Sequence, residues 1–301
     1  MRTTAGYFFM DKSKYNKPAL SSDEIFNLIE SKNIQIHDRS LATLYLKTVS
    51  YHRLSAYLDC LINNHNENSP PSFEDACQIY QFDRKLRLLI NDALERIEIA
   101  FRTSLSDTMS CLHSPHWYLD ASLFKNKEKH QFFITQVDAA CRTSHEPQIK
   151  EYYKRYDEPP YPPSWLVFEN LSFGVCINVF GNIKKLGEKK LICHLFQEHP
   201  TTMESWLSSL RYMRNLCAHH SRVWNRWFVI CPALSFLFNK KFDKERTCYA
   251  QLIVLDRLLK IIAPENDWKS HLKKLMKSFK RLPYQEMGFS IDWESDTFWH
   301  K

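Results

Sequence analysis

The stretch Leu86-Arg87-Leu88-Leu89-Ile90-Asn91-Asp92-Ala93-Leu94-Glu95-Arg96-Ile97-Glu98-Ile99-Ala100-Phe101-Arg102 decides the fold class. At about 100° per residue, Leu86, Ile90, Ala93, Leu94, Ile97, Ala100, Phe101 and then Leu105 form one continuous apolar stripe. Neither glycine nor proline interrupts the pattern, which predicts a helix from about Phe73 to Met109. Lys85, Asp92 and Arg96 point away from the stripe as ordinary solvent contacts. Asp83 and Arg87 project onto or beside it, Glu98 lies at its margin, and Arg102 follows one turn later. Charges on a buried face are costly unless they are paired or lie in a cleft. These four are therefore either an internal ion-pair network holding helices in register or part of a site.

Outward from this helix the chain of 301 residues reads as all-α. Only five glycines occur, too few for the hairpin turns of a strand-rich fold. The same scarcity excludes a Gly-rich phosphate loop and a dinucleotide fingerprint. The aromatic fraction of 14% and apolar fraction of 44% suit a packed globule. Nine scattered cysteines, none in a C-x-x-C pair, point to reduced thiols in the cytoplasm. Tyr7 to Met10 is too short an apolar run for a signal peptide. Trp227 to Phe238, broken by Pro232, falls short of the roughly 20 residues of a membrane span. The net charge of +7 favours an anionic partner without establishing one.

Three regions are expected. Residues 1–70 form an N-terminal helical module: a short helix over Asp23 to Lys32 capped by Ser21 or Ser22, then a helical stretch from Asp38 to Leu61. The polar, proline-containing run Asn63 to Ser72 reads as a linker. Residues 71–265 form the main bundle. Within it Asp157 to Ser164, with four prolines in eight residues, reads as a rigid extended connection. Ser164 is placed to cap a helix from Trp165, helical periodicity resumes beyond Pro200, and a further helix covers about Lys244 to Ile262. Residues 266–301 form a basic amphipathic tail in which Leu272, Leu275, Met276 and Phe279 share a face. Lys273, Lys274 and Lys277 there are candidate RNA contacts, against the plainer reading of a docked surface helix.

Chemistry concentrates between Arg211 and Asn225, where Arg214, Asn215, His219, His220, Ser221 and Arg222 share a segment with apolar Leu216, Cys217, Val223 and Trp224. A metal site fits poorly, because adjacent His219 and His220 diverge by about 100° on a helix and no carboxylate is near in sequence. Phosphodiester cleavage fits better. RNA is cut without metal when its 2′-hydroxyl attacks the neighbouring phosphorus, which needs a proton-transfer group and cations for the phosphorane. Histidine suits the first role and arginine the second. Asn215 is placed to cap a helix beginning after Arg214, which would aim amide N–H groups at an anion. On an unbroken helix Arg214 and His219 lie about 140° apart; they converge only through a bend at Asn215 or a second protomer. The plain alternative is that both are polar residues satisfied by other helices.

Arg214-Asn215-Leu216-Cys217-Ala218-His219 resembles the R-N-x-x-x-H form of the R-x(4–6)-H motif of HEPN-superfamily ribonucleases. Wider blocks resemble the Abi-like (AbiD/AbiF) abortive-infection family. Among them are Ser50-Tyr51-His52-Arg53-Leu54-Ser55-Ala56-Tyr57, Tyr80-Gln81-Phe82-Asp83-Arg84-Lys85-Leu86-Arg87, Pro163-Ser164-Trp165-Leu166-Val167-Phe168-Glu169 and Cys217-Ala218-His219-His220-Ser221-Arg222-Val223-Trp224-Asn225-Arg226. The resemblance implies a HEPN-like helical bundle with an N-terminal helical extension. It also implies phage defence and a metal-independent endoribonuclease leaving a 2′,3′-cyclic phosphate, with no cofactor. Arg214, Asn215 and His219 match the motif as catalytic residues. Glu98, Arg102, Glu169, His220 and Arg222 are supporting polar residues, and Arg211 joins the α-helical tail lysines as an RNA contact. A homodimer with a composite site, an RNA or protein antitoxin, and no membrane association follow as expectations. A HEPN-type module that binds or senses RNA without cutting it is the competing reading.

Overall fold

The computed structural model describes residues 16, 18–63, 70–233, 246–279, 284–295 and 297–300. Residues 64–69 of the expected linker Asn63 to Ser72, the helix start at 244–245, the end of the basic tail at 280–282 and the apolar run beyond residue 233 lie outside the described residues. Among the described residues there are twelve α-helices and no β-strand, only two isolated bridges, as the all-α reading requires. The chain divides into two compact units, Met1–Tyr80 and Gln81–Lys301.

In the first unit, α1 (Ser22–Ser31) begins at a capping box: Ser21 Oγ accepts from Glu24 N–H while the Glu24 carboxylate accepts from Ser21 N–H at 2.7 Å. The expected single stretch from Asp38 to Leu61 is instead two helices, α2 (Arg39–Thr48) and α3 (Tyr51–Asn63). Val49 and Ser50 both donate to the Tyr45 carbonyl, and Ser50 takes φ +77°, so the chain turns left-handed and restarts. The opening of α4 (Phe73–Leu112) is capped by Ser72, whose hydroxyl and Asp75 exchange hydrogen bonds. Tyr80 packs edge-on against Tyr45 and Tyr57.

From Gln81 onward α4 belongs to the second unit, where its stripe is the core: Leu86, Ile90, Ala93, Leu94, Ile97, Phe101, Leu105 and Met109 are all buried. Around it come α5 (Lys127–Thr143), α6 (Pro147–Arg155), α7 (Ser164–Val167), α8 (Phe173–Asn182), α9 (Leu186–His194), α10 (Pro200–Ala218), α11 (Cys248–Ile262) and α12 (Trp268–Lys277). Phe101 stacks edge-to-face on Phe173 and Phe180 of α8, and α10 packs on α8, α9 and α11. Ser164 does not cap α7. Pro163 precedes the helix, and the buried Ser164 hydroxyl bonds Ser106 and Ser110 of α4 at 2.9 and 2.8 Å. A hydroxyl that far from solvent serves the neighbouring polar side chains. The amphipathic tail helix α12 docks by burying Trp268, Leu272, Leu275 and Met276, with Trp268 Nε1 donating to the Leu89 carbonyl of α4 at 2.7 Å.

The end of α10 differs from the expected bend. Asn215 lies inside the helix, and its carbonyl accepts from His219 N–H. Leu216 and Cys217 are buried on the face that Met213 begins, so burial carries the helix past Asn215. The helix stops at Ala218 in a Schellman arrangement: His220 N–H bonds the Cys217 carbonyl, Ser221 N–H bonds the Leu216 carbonyl, and His220 takes φ +55°.

Phe101→Ala, which empties a fully buried aromatic site, is expected to cost about 3–5 kcal/mol in urea unfolding followed by helical circular dichroism. At left-handed position 220, His220→Gly is expected to stay within about 1 kcal/mol of the parent. His220→Val is expected to destabilise by about 1–2 kcal/mol in thermal unfolding.

Candidate functional site

In the second unit α4 and α10 face each other across a cleft of about 390 Å³. Asn91, Leu94, Glu95, Glu98, Ile99 and Arg102 of α4 line one side, with Arg214 and Ala218 of α10 on the other. Positions 91, 95, 98 and 102 share one helical face, so the polar wall of the cleft is continuous. Asn91 and Glu95 were not singled out by sequence reasoning, although this spacing was the signal for them.

The two arginines of the cleft are in different states. Arg102 is largely buried and ion-paired with Glu98, and its Nη1 donates to the carbonyls of Phe168 and Glu169 at 3.1 and 2.9 Å. Its Nε is buried without a hydrogen-bond partner among the described residues. Glu169 thus contributes its backbone carbonyl, while the residue itself is exposed. Arg214 is exposed, and its guanidinium meets no hydrogen-bond or ion-pair partner among the described residues. A guanidinium in that condition can accept an anion without first surrendering a carboxylate.

Asn215 and His219 are also exposed and have no side-chain partner among the described residues. His219 occupies the C-cap of α10 and does not line the cleft with Arg214. The expected positive helix end is not here: residues 215–221 close the carbonyl end of α10, so no fan of backbone N–H groups faces the cleft. Cys217, between the two motif residues, is buried, and burial pushes its thiol up to about 12. It therefore stays protonated and is no nucleophile.

The turn after α10 is tied to α4. The Asp83 carboxylate, fully buried, accepts from the backbone N–H of Val223 at 3.1 Å and of Trp224 at 2.7 Å. Its other oxygen pairs with Arg87, whose Nη1 reaches the Ser221 carbonyl at 3.4 Å. Asp83 and Arg87 thus form an internal network that ends on the histidine-bearing turn. Arg222 is half-buried, with its carbonyl accepting from Arg226.

The remaining predicted contacts are dispersed. Arg211 lies over Gly174 of α8, where a Cβ would stand 3.2 Å from its Cδ. Lys273 rests over the Trp299 ring, and Lys277 pairs with Glu294 at 2.7 Å. Lys274 is exposed and has no such partner among the described residues. Among those residues, no three His, Cys, Asp or Glu side chains converge to hold a metal ion. No described helix is long and apolar enough to cross a membrane.

No curated protein and no solved structure matches the chain. Residues 44–225, which contain the α4 stripe, the cleft and the latched turn, match the family described as Abi-like protein. With more than half of its length so matched, the chain belongs to the Abi-like protein family.

Proposed function

We propose that this Abi-like chain is a toxin-like endoribonuclease of phage defence by abortive infection, cutting RNA without a metal ion. The observation that carries the reading is Arg214: an uncommitted guanidinium at a cleft whose opposite wall holds Arg102, on the helix that ends in exposed His219. In the proposed reaction an RNA 2′-hydroxyl loses its proton and attacks the adjacent phosphorus. The P–O5′ bond breaks, and the departing O5′ gains a proton. The products are a 2′,3′-cyclic phosphate and a 5′-hydroxyl. Arg214 binds the phosphate and stabilises the charge of the phosphorane. His219 moves the protons, and Asn215 belongs to the same exposed surface.

Arg214 and His219 are separated by about 140° around α10, so we place the complete site in a homodimer of HEPN type in which each protomer supplies one element. The same reading puts the protein in the cytoplasm with RNA as substrate and an RNA or protein antitoxin as its restraint. The divergence of the two side chains also favours a second reading, a HEPN-type module that binds RNA and does not cut it, with Lys274, Lys273 and Lys277 as further contacts.

His219→Ala and Arg214→Ala are each expected to lower cleavage of single-stranded RNA by about 10²-fold or more. Both should abolish growth arrest on expression, with helical circular dichroism unchanged. A folded His219→Ala protein that cleaves as fast as the parent sinks the catalytic reading. Tight gel-shift binding by the parent with RNA left intact selects the second reading.

A further inference from the structure

We infer that Asp83 and Arg87 are positioning residues that set the geometry of the His219–Arg222 turn; the inference rests on the RNA-cleaving reading above. His219 is exposed, so little side-chain packing fixes where its imidazole stands, and its placement is set by the turn it shares with His220. The backbone of that turn is held at its helix side by the Schellman hydrogen bonds to Leu216 and Cys217. Beyond the histidines α4 holds it through three polar contacts: Asp83 accepts from the N–H groups of Val223 and Trp224, and Arg87 donates to the carbonyl of Ser221. Val223 and Trp224 are fully buried, so the far end cannot drift while these contacts stand.

The chemistry of the latch is more demanding than packing requires. An apolar pair at positions 83 and 87 would extend the stripe and leave no buried charge to compensate. A buried carboxylate that accepts two backbone N–H groups and a guanidinium is instead directional, and it permits one orientation of the peptides at 221–224. Small displacements of an acid–base group are felt strongly in rate, because the reacting atoms must align. The latch therefore acts on turnover and leaves the Arg214 side of the cleft untouched.

The test compares the parent chain with Asp83→Asn, which keeps the shape but removes the charge. Hydrogen exchange of the 219–224 segment is measured by mass spectrometry, and kcat and KM by cleavage of single-stranded RNA. RNA affinity is measured in a His219→Ala background. The expected result is faster exchange confined to 219–224, a fall in kcat of about tenfold or more, and affinity within about twofold of the parent. Leu105→Ala, a core change away from the turn, controls for lost stability and should retain kcat where it remains folded. If Asp83→Asn does not fold, the Asp83→Asn/Arg87→Gln chain, neutral on both sides, carries the same comparison. Unchanged exchange at 219–224, or unchanged kcat in a folded variant, overturns the inference. A parent chain that cuts no RNA is a separate failure: it overturns the reading of the site, whereas parent and variant cutting equally well overturns only the latch.

Discussion

The apolar stripe of α4 between Leu86 and Met109 must be kept from water, and most of the second unit is arranged to do so. Phe101 is enclosed by Phe173 and Phe180 of α8 and by Phe196, which follows α9. Two i,i+4 ion pairs, Asp83–Arg87 and Glu98–Arg102, interrupt that face or its edge. Left with only each other, such charges would regain little of the hydration they lose. Each pair instead makes further hydrogen bonds to the backbone of a distant segment, Asp83 and Arg87 on 221–224 and Arg102 on 168–169. The helix that supplies the hydrophobic surface thereby also supplies the fixed charges that locate two turns.

How much of this was legible in the sequence depends on whether a signal is local. The α4 stripe is periodic over many turns, so its existence and buried face follow from spacing alone. Ser21 with Glu24 declares the start of α1 in the same way. The end of α10 was not legible. Asn215 is an ordinary cap residue, but buried Leu216 and Cys217 extend the helix past it, and tertiary burial outweighs a capping preference of about 1 kcal/mol. The left-handed residue that does end the helix is His220, where glycine would have been the recognisable stop. Ser50 breaks α2 from α3 in the same unmarked way. Ser164 reads as a cap until Ser106 and Ser110 are known to face it.

The candidate site was half legible for the same reason. Asp83, Arg87, Glu98 and Arg102 stand out because charge on an apolar stripe requires an explanation. The backbone partners of Asp83, Arg87 and Arg102 lie 66 to 141 residues away, which no spacing rule reaches. Finding α10's carbonyl end at His219 changes how the site can treat a phosphate. Backbone amides are not offered there, so in the proposed reaction it is guanidinium groups that would hold the phosphate. Of the two at the cleft, Arg102 is already committed to Glu98 and two carbonyls, which leaves Arg214 as the group whose charge is available.

Rigidity then decides what the remaining step must be. If α10 bent at Asn215, one chain could close Arg214 and His219 on a single phosphate by flexing. It does not bend there: the helix is continuous to Ala218, its end is sealed by the hydrogen bonds of His220 and Ser221, and the following peptides are pinned by Asp83. The two positions therefore stay apart around the helix, by about 140° at ideal helical spacing. For the proposed chemistry, a second copy would bring the complement of each group at no added complexity of sequence. In the proposed homodimer a two-fold axis would bring Arg214 of one protomer to His219 of its partner.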